Sequence, residues 1–177
     1  MSKNKGLFSR FYPDEWVDST YVIDFESFYK KGYRGLTFDI DNTLVPHGAP
    51  ADERALELFK RLHRIGYRIC LISNNKRSRV QPFAEAVDAE YIWYANKPST
   101  RGYERACSLI DVPKEQTLFV GDQLFTDVWG AKRAGMYSIL VKPIHPKEEI
   151  QIVIKRFFEK IVLHFYKKSI ENKDEVL

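Results

Sequence analysis

What constrains this chain most is an alternation. Short apolar runs of strand length take turns with segments whose apolar residues recur at helical spacing. The runs lie at 35–40, 68–72, 91–94, 117–120 and 138–141. Helices are predicted between them at 51–65, 78–86, 100–110 and 125–134, with Gly66 and Gly135 where left-handed C-terminal caps belong. Several runs are apolar nearly throughout, as strands covered on both faces must be. Strand–helix–strand repetition builds right-handed crossovers. The expectation is α/β: a Rossmann-like, doubly wound parallel sheet in a three-layer α/β/α sandwich.

A chain of 177 residues suits one domain with short extensions, and 44% hydrophobic against 29% charged residues is enough apolar surface for a core. That composition excludes a disordered chain, a collagen-like chain and a disulfide scaffold. The two cysteines, Cys70 and Cys107, sit inside apolar runs and read as buried reduced thiols of a reducing compartment. No run approaches the ~18 apolar residues of a membrane span, and residues 1–10 lack the apolar core of a signal peptide. A cytoplasmic protein is expected. The net charge of +4 is mild for a nucleic-acid binder, and no RNA-binding motif is present, so no nucleic-acid partner is expected. Much of the basic excess lies near the ends, at Lys3, Lys5 and Arg10 and at Lys155, Arg156, Lys160, Lys167 and Lys168. Solvated faces explain such charges, and so does attraction to an anionic surface.

Open parallel sheets place their sites at the carboxyl ends of the strands. The residues there are Asp39, Asp41 and Thr43, then Ser73 and Asn74, then Lys97, then Asp122 and Asp127. Asp39 and Asp41 are two apart, so on an extended chain they point the same way. Two carboxylates at the end of an apolar strand repel each other and resist desolvation unless a cation or hydrogen bonds compensate. Asp122 adds a third. Oxygen donors suit a hard divalent cation such as Mg²⁺, which commonly also takes water and substrate phosphate. Ser73 offers a hydroxyl and an N–H where a helix is expected to begin, a natural seat for an anion. Together with Lys97, these groups describe a site for a phosphate and a metal.

The segments DIDNT, LISNN, NKPS and GDQLFTD, in this order and spacing, resemble the four motifs of haloacid-dehalogenase-superfamily phosphohydrolases over residues 35–141. The resemblance implies a HAD-like fold with Asp39 as the nucleophile that forms an aspartyl-phosphate. It makes Asp41 the general acid and then base, with Thr43, Ser73, Asn74 and Lys97 binding the phosphoryl group. Mg²⁺ would be held by the Asp39 carboxylate, the Asp41 carbonyl and the Asp122 carboxylate, with Asp127 behind them acting through water or Lys97. The stretches from Thr43 to Ser73 and from Ser73 to Lys97 each have room for only one helix and one strand. No cap domain fits, so an open site is expected unless a second subunit of a homo-oligomer covers it.

The chain divides into an aromatic N-terminal arm (1–34), a catalytic domain (35–145) and a basic amphipathic helix and tail (146–177). In the tail Ile150, Val153, Ile154, Phe157, Ile161 and Phe165 recur at helical spacing. Such a helix packs on its domain or on a second copy, or lies on an anionic bilayer. Arm, open site and tail together resemble the small YqeG-type, subclass IIIA phosphatases, which include phosphatidylglycerophosphate phosphatases. This resemblance implies a lipid phosphomonoester substrate and peripheral contact with the inner face of a membrane. The competing expectations are a soluble sugar or nucleotide phosphate as substrate, and a non-catalytic basic binding module.

Overall fold

The computed structural model describes residues 8–145 and 150–174, and within the last helix the side chains of residues 157–170. Six strands form one sheet in the order β1 (Glu15–Val17), β6 (Tyr137–Val141), β5 (Thr117–Gly121), β2 (Gly35–Phe38), β3 (Arg68–Ile72), β4 (Glu90–Ile92). Every pairing is parallel. The central strand β2 sets Gly35 opposite Thr117 of β5 and Arg68 of β3.

The two-residue period of the strands sorts their side chains into two cores. Leu36, Phe38, Ile69, Leu71, Leu118 and Val120 pack on one face with Phe59 of α2 (Glu53–Ile65) and Phe83 of α3 (Arg77–Val87). Cys70, Ile72 and Phe119 pack on the other with Tyr103 and Ala106 of α4 (Thr100–Ile110) and Ala131 of α5 (Trp129–Ala134). The three-layer sandwich therefore forms as expected. Helix α2 begins where the Asp52 carboxylate accepts the Ala55 N–H at 2.8 Å, and it ends on Gly66 at φ 105°. One helix separates β2 from β3 and one separates β3 from β4, so neither position carries an inserted domain.

The arm contributes more than aromatic packing. Glu15–Val17 pairs with β6 as the sheet's edge strand, and α1 (Phe25–Lys30) is capped by Asp24, which accepts the Ser27 N–H at 2.9 Å. The segment expected as one helix at 125–134 starts as a π-helical turn, Leu124–Val128, before α5. The strand expected at 91–94 ends at Ile92. Tyr94 turns away at φ 45° and donates its N–H to the Asn75 carbonyl at 3.0 Å. Cys70 is buried, but Cys107 is only half-buried, with its Sγ 3.8 Å from the Thr117 hydroxyl.

The tail forms α6 (Ile150–Asp174). Its inner face is Glu159, Val162 and Tyr166. Phe157, Phe158, Ile161 and Phe165 are exposed, Phe157 to 64%, with Phe165 meeting the Phe8 ring at 5.5 Å. Of the residues read as its apolar stripe, Phe157, Ile161 and Phe165 thus point outward. Residues 146–149, Lys3 and Lys5, and the side chains of Ile150, Val153, Ile154, Lys155 and Arg156, lie outside the described residues.

Candidate active site

The chain leaves β2 with Asp39, whose N–H donates to the Val120 carbonyl at 3.0 Å. It then folds back on itself: Asn42, at φ 62°, donates its N–H to the Val45 carbonyl at 2.7 Å. Asparagine tolerates this left-handed conformation better than most residues, which explains its place in the turn. The fold-back separates the two aspartates. The two carboxylates take different hydrogen-bond partners, although both line one cavity.

Asp39 meets Lys97. The Lys97 ammonium is 3% exposed and donates at 2.6 Å to Asp39 Oδ1 and at 2.6 Å to Asp127 Oδ1. Asn74, from the end of β3, fixes the lysine backbone from both sides. Its Oδ1 accepts the Lys97 N–H at 2.7 Å and its Nδ2 donates to the Lys97 carbonyl at 3.1 Å. Asp127 comes from the π-helical turn, and its Oδ2 accepts the Gln123 N–H at 3.0 Å. The carboxylate occupies the space a side chain on Gly121 would need, since a Cβ there would lie 2.6 Å from Oδ2. Asp122 follows β5 and accepts the Thr43 hydroxyl at 3.2 Å. Ser73 Oγ accepts the Asn75 N–H at 3.1 Å, a turn that precedes α3 and does not begin it.

Oxygens of Asp39, Asp122 and Asp127 all lie within 4.8 Å of one another. Lys97 bonds two of these three buried carboxylates, Asp39 and Asp127, so the cluster carries more negative than positive charge. Burial, then the neighbouring Asp127 and Asp41, push the Asp39 carboxyl up to about 7 against the pull of Lys97. Burial by itself would lower the Lys97 ammonium, but Asp127 and Asp39 outweigh it and hold the lysine protonated, well above its usual range. An all-oxygen set with a charge deficit of this kind fits a hard divalent cation.

The Asp41 carboxylate stands outside this group. Oδ1 accepts the Gly48 N–H at 2.8 Å and Arg79 Nη2 at 2.8 Å, and Oδ2 accepts Asn75 Nδ2 at 2.7 Å. Asn75 and Arg79 were not visible as site residues in the sequence. Asn75 could have been suspected as the second asparagine of LISNN. Arg79, the last residue of the basic stretch KRSR, carried no such mark.

A cavity of ≈ 240 Å³ joins Asp39, Asp41, Asn42, His47, Asn74, Asn75, Lys97 and Gln123. A wider cleft of ≈ 660 Å³ runs along α2 past Tyr21, Arg54, Lys60, Arg61 and Arg64. None of the carboxylates at the strand ends reaches that cleft, so the chemistry belongs to the smaller cavity.

A parallel sheet with paired carboxylates and a buried lysine at its carboxyl edge defines a class of hydrolase. Residues 47–135 match the family described as haloacid dehalogenase-like hydrolase. The chain is 33% identical over 160 residues to "Probable phosphatase YqeG" of Bacillus subtilis (strain 168), covering 90% of this chain and 93% of that protein. The chain therefore belongs to the haloacid dehalogenase-like hydrolases, and it is a phosphatase of that family. It is also 26% identical over 183 residues to phosphatidylglycerophosphate phosphatase 1, chloroplastic/mitochondrial, of Arabidopsis thaliana, spanning 93% of this chain and 51% of that protein. The fold matches a haloacid dehalogenase-like hydrolase from Bacteroides fragilis with a TM-score of 0.53 at 17% identity, over 68% of this chain and 93% of that one.

Proposed function

We propose that this phosphatase is a Mg²⁺-dependent phosphomonoesterase that works through an aspartyl-phosphate on Asp39, and that its substrate is phosphatidylglycerophosphate. The observation that carries the chemistry is the pair of 2.6 Å bonds from Lys97 to Asp39 and Asp127 inside a cavity that also contains Asp41. Asp39 attacks phosphorus, the P–O ester bond breaks, and Asp41 gives its proton to the departing oxygen. A water then attacks the aspartyl-phosphate, Asp41 takes its proton, and inorganic phosphate leaves with Asp39 restored. Lys97, Thr43, Ser73 and Asn74 hold the phosphoryl group. The Asp39 and Asp122 carboxylates and the Asp41 carbonyl would hold Mg²⁺, with Asp127 engaged by Lys97 behind them. A bound divalent ion supplies positive charge against the phosphoryl oxygens, which a carboxylate nucleophile needs when it approaches an anion.

Three observations support the lipid. The cavity opens without an inserted domain over it. The outer face of α6 presents Phe157, Phe158, Ile161 and Phe165 among Lys160, Lys167 and Lys168, the mixture that seats a helix on an anionic bilayer. The plant relative bears the name of that lipid's phosphatase. Among the described residues no helix is long and apolar enough to cross a membrane. Contact with the inner face of the membrane would therefore be peripheral. Phosphate release from phosphatidylglycerophosphate vesicles, with and without chelator, tests this reading. Fast turnover restored by Mg²⁺ is expected. Equal turnover of soluble glycerol phosphate with no vesicle binding would replace the lipid with a soluble substrate.

A further inference from the structure

The surroundings of Asp41 conflict with its role. An acid for the leaving group needs an oxygen free to reach the ester. Asp41 instead receives four hydrogen bonds: Gly48 N–H and Arg79 Nη2 at 2.8 Å and Arg79 Nε at 3.3 Å on Oδ1, and Asn75 Nδ2 at 2.7 Å on Oδ2. Gly48 and Asn75 are neutral and hold the carboxylate in position. Arg79 is different, because two arms of its fork close on Oδ1 together. For Asp41 to serve the leaving oxygen, the guanidinium has to go elsewhere.

The two cations that meet the site's aspartates differ in how far they are committed. Lys97 already bonds two carboxylates, and its side chain is 3% exposed. Arg79 faces one carboxylate, its side chain is 19% exposed, and its guanidinium lies 5.5 Å from the centre of the Phe83 ring. Lys97 sits beside the nucleophile, on the side of the transferred phosphoryl. Arg79 sits against Asp41, so a phosphoryl group seated on Asp39 with its leaving oxygen toward Asp41 would bring the leaving alcohol toward Arg79. A guanidinium fork matches two oxygens of a phosphate or phosphodiester as well as it matches a carboxylate.

We propose that Arg79 is the specificity-determining residue: it exchanges Asp41 for a second anionic group on the leaving alcohol, and the same exchange frees Asp41 Oδ1. The inference rests on the phosphatase reading above and deepens it. The preferred substrates are phosphomonoesters whose alcohol carries a further phosphate or phosphodiester a few bonds away. A lipid headgroup and a soluble bisphosphate share that chemistry. A substrate without the second charge leaves Arg79 on Asp41 and turns over slowly.

The test compares kcat/KM for glycerol 1,3-bisphosphate, glycerol 1-phosphate and phosphatidylglycerophosphate in detergent micelles, using the wild-type chain, Arg79→Lys and Arg79→Gln. Wild type is expected to favour both doubly anionic substrates over glycerol 1-phosphate by ~10–100-fold, the range for hydrogen bonds between charged groups. Arg79→Gln should bring that ratio close to one, and Arg79→Lys should retain part of it. In parallel, calorimetry on the inert Asp39→Asn chain should show glycerol 1,3-bisphosphate binding that weakens by a similar factor when Arg79→Gln is added. If Arg79→Gln slows all three substrates equally and leaves that binding unchanged, Arg79 only props Asp41 and the proposal fails. A preference confined to the lipid and insensitive to Arg79 would also overturn it. Absence of turnover on every substrate would sink the phosphatase mechanism instead, and the calorimetry would still decide the role of Arg79.

Discussion

Asp39 and Lys97 show how much a single strand end can concentrate. Asp39→Asn preserves shape but leaves an amide that cannot attack phosphorus, so turnover of an aryl phosphate should vanish while circular dichroism is unchanged. Asp41→Asn should cost ~10²–10⁴-fold in kcat, the usual worth of acid–base assistance. The Asp39 carboxyl also gives the metal-free chain a pH signature. Its folded-state value is raised to about 7 from an ordinary 3.8, so the folded state binds the proton more tightly than the unfolded one. That contribution to stability is complete below about 3.8 and is lost as pH rises through about 7. Melts in chelator should show this loss, and added Mg²⁺ should raise Tm more at pH 8 than at pH 5.5. An equal rise at both would contradict a metal held by Asp39. The positions of Asp39, Asp41, Thr43, Ser73, Asn74 and Asp122 at the sheet's carboxyl edge were legible in the sequence, because a residue just after an apolar run falls there, whereas Lys97 and Asp127 reach the edge through the turns that follow β4 and β5. Arg79 and Asn75 were not legible as site residues. Their role depends on the fold-back at Asn42, which turns the Asp41 carboxylate toward α3.

Among the elements, the π-helical turn after β5 matters most to the site. It aims the Asp127 carboxylate over Gly121 and presents the Gln123 N–H to it. Gly121→Ala would drive a methyl group into that carboxylate. Overpacking of this kind costs about 1–3 kcal/mol, and urea melts should show it. Activity should fall further than stability accounts for, because Lys97 loses its second partner. The same turn is tied to α6, where the buried Glu159 accepts the Leu124 N–H at 2.7 Å. Glu159→Ala leaves that buried donor without this acceptor and should cost about 1–3 kcal/mol in the same melts. The long helices were readable from periodicity and caps, but β1 and α1 were not. Three and six residues are too few for a period to register. The reason β1 is a strand at all, its pairing with β6, lies more than a hundred residues along the chain.

At the scale of the whole molecule, the chain has one helix with two apolar faces. The inner face of α6 joins Leu124, Val128 and Leu140 in a small core with arm residues Phe11, Tyr12 and Trp16. The outer face carries Phe157, Phe158, Ile161 and Phe165 into solvent. If that face seats the enzyme on lipid, Phe157→Ser with Phe158→Ser should weaken partitioning onto anionic vesicles by ~100-fold or more in a co-sedimentation assay, since each buried aromatic contributes about 1.5–3 kcal/mol. Hydrolysis of a soluble aryl phosphate should be unaffected. Unchanged sedimentation, or a change in oligomeric state without one in lipid binding, would assign the stripe to contact between copies of the chain. The sequence supplied the periodicity of this helix. It could not say which stripe turns inward, because that depends on where the π-helical turn presents its N–H.

The strand order β1-β6-β5-β2-β3-β4 has a consequence for synthesis. As the chain emerges, β2, β3 and β4 can pair one after another through short crossovers. β1, made before any of them, has no partner until Tyr137–Val141 appears. For most of translation the aromatic arm is therefore an unpaired, adhesive segment beside a half-built sheet. Assembly ends when β5 and β6 dock on the free side of β2, and that same event delivers Asp122 and Asp127 to Asp39. The three carboxylates meet only once β5 and the turn after it are in place, so a chain stopped before Thr117 lacks the cluster altogether.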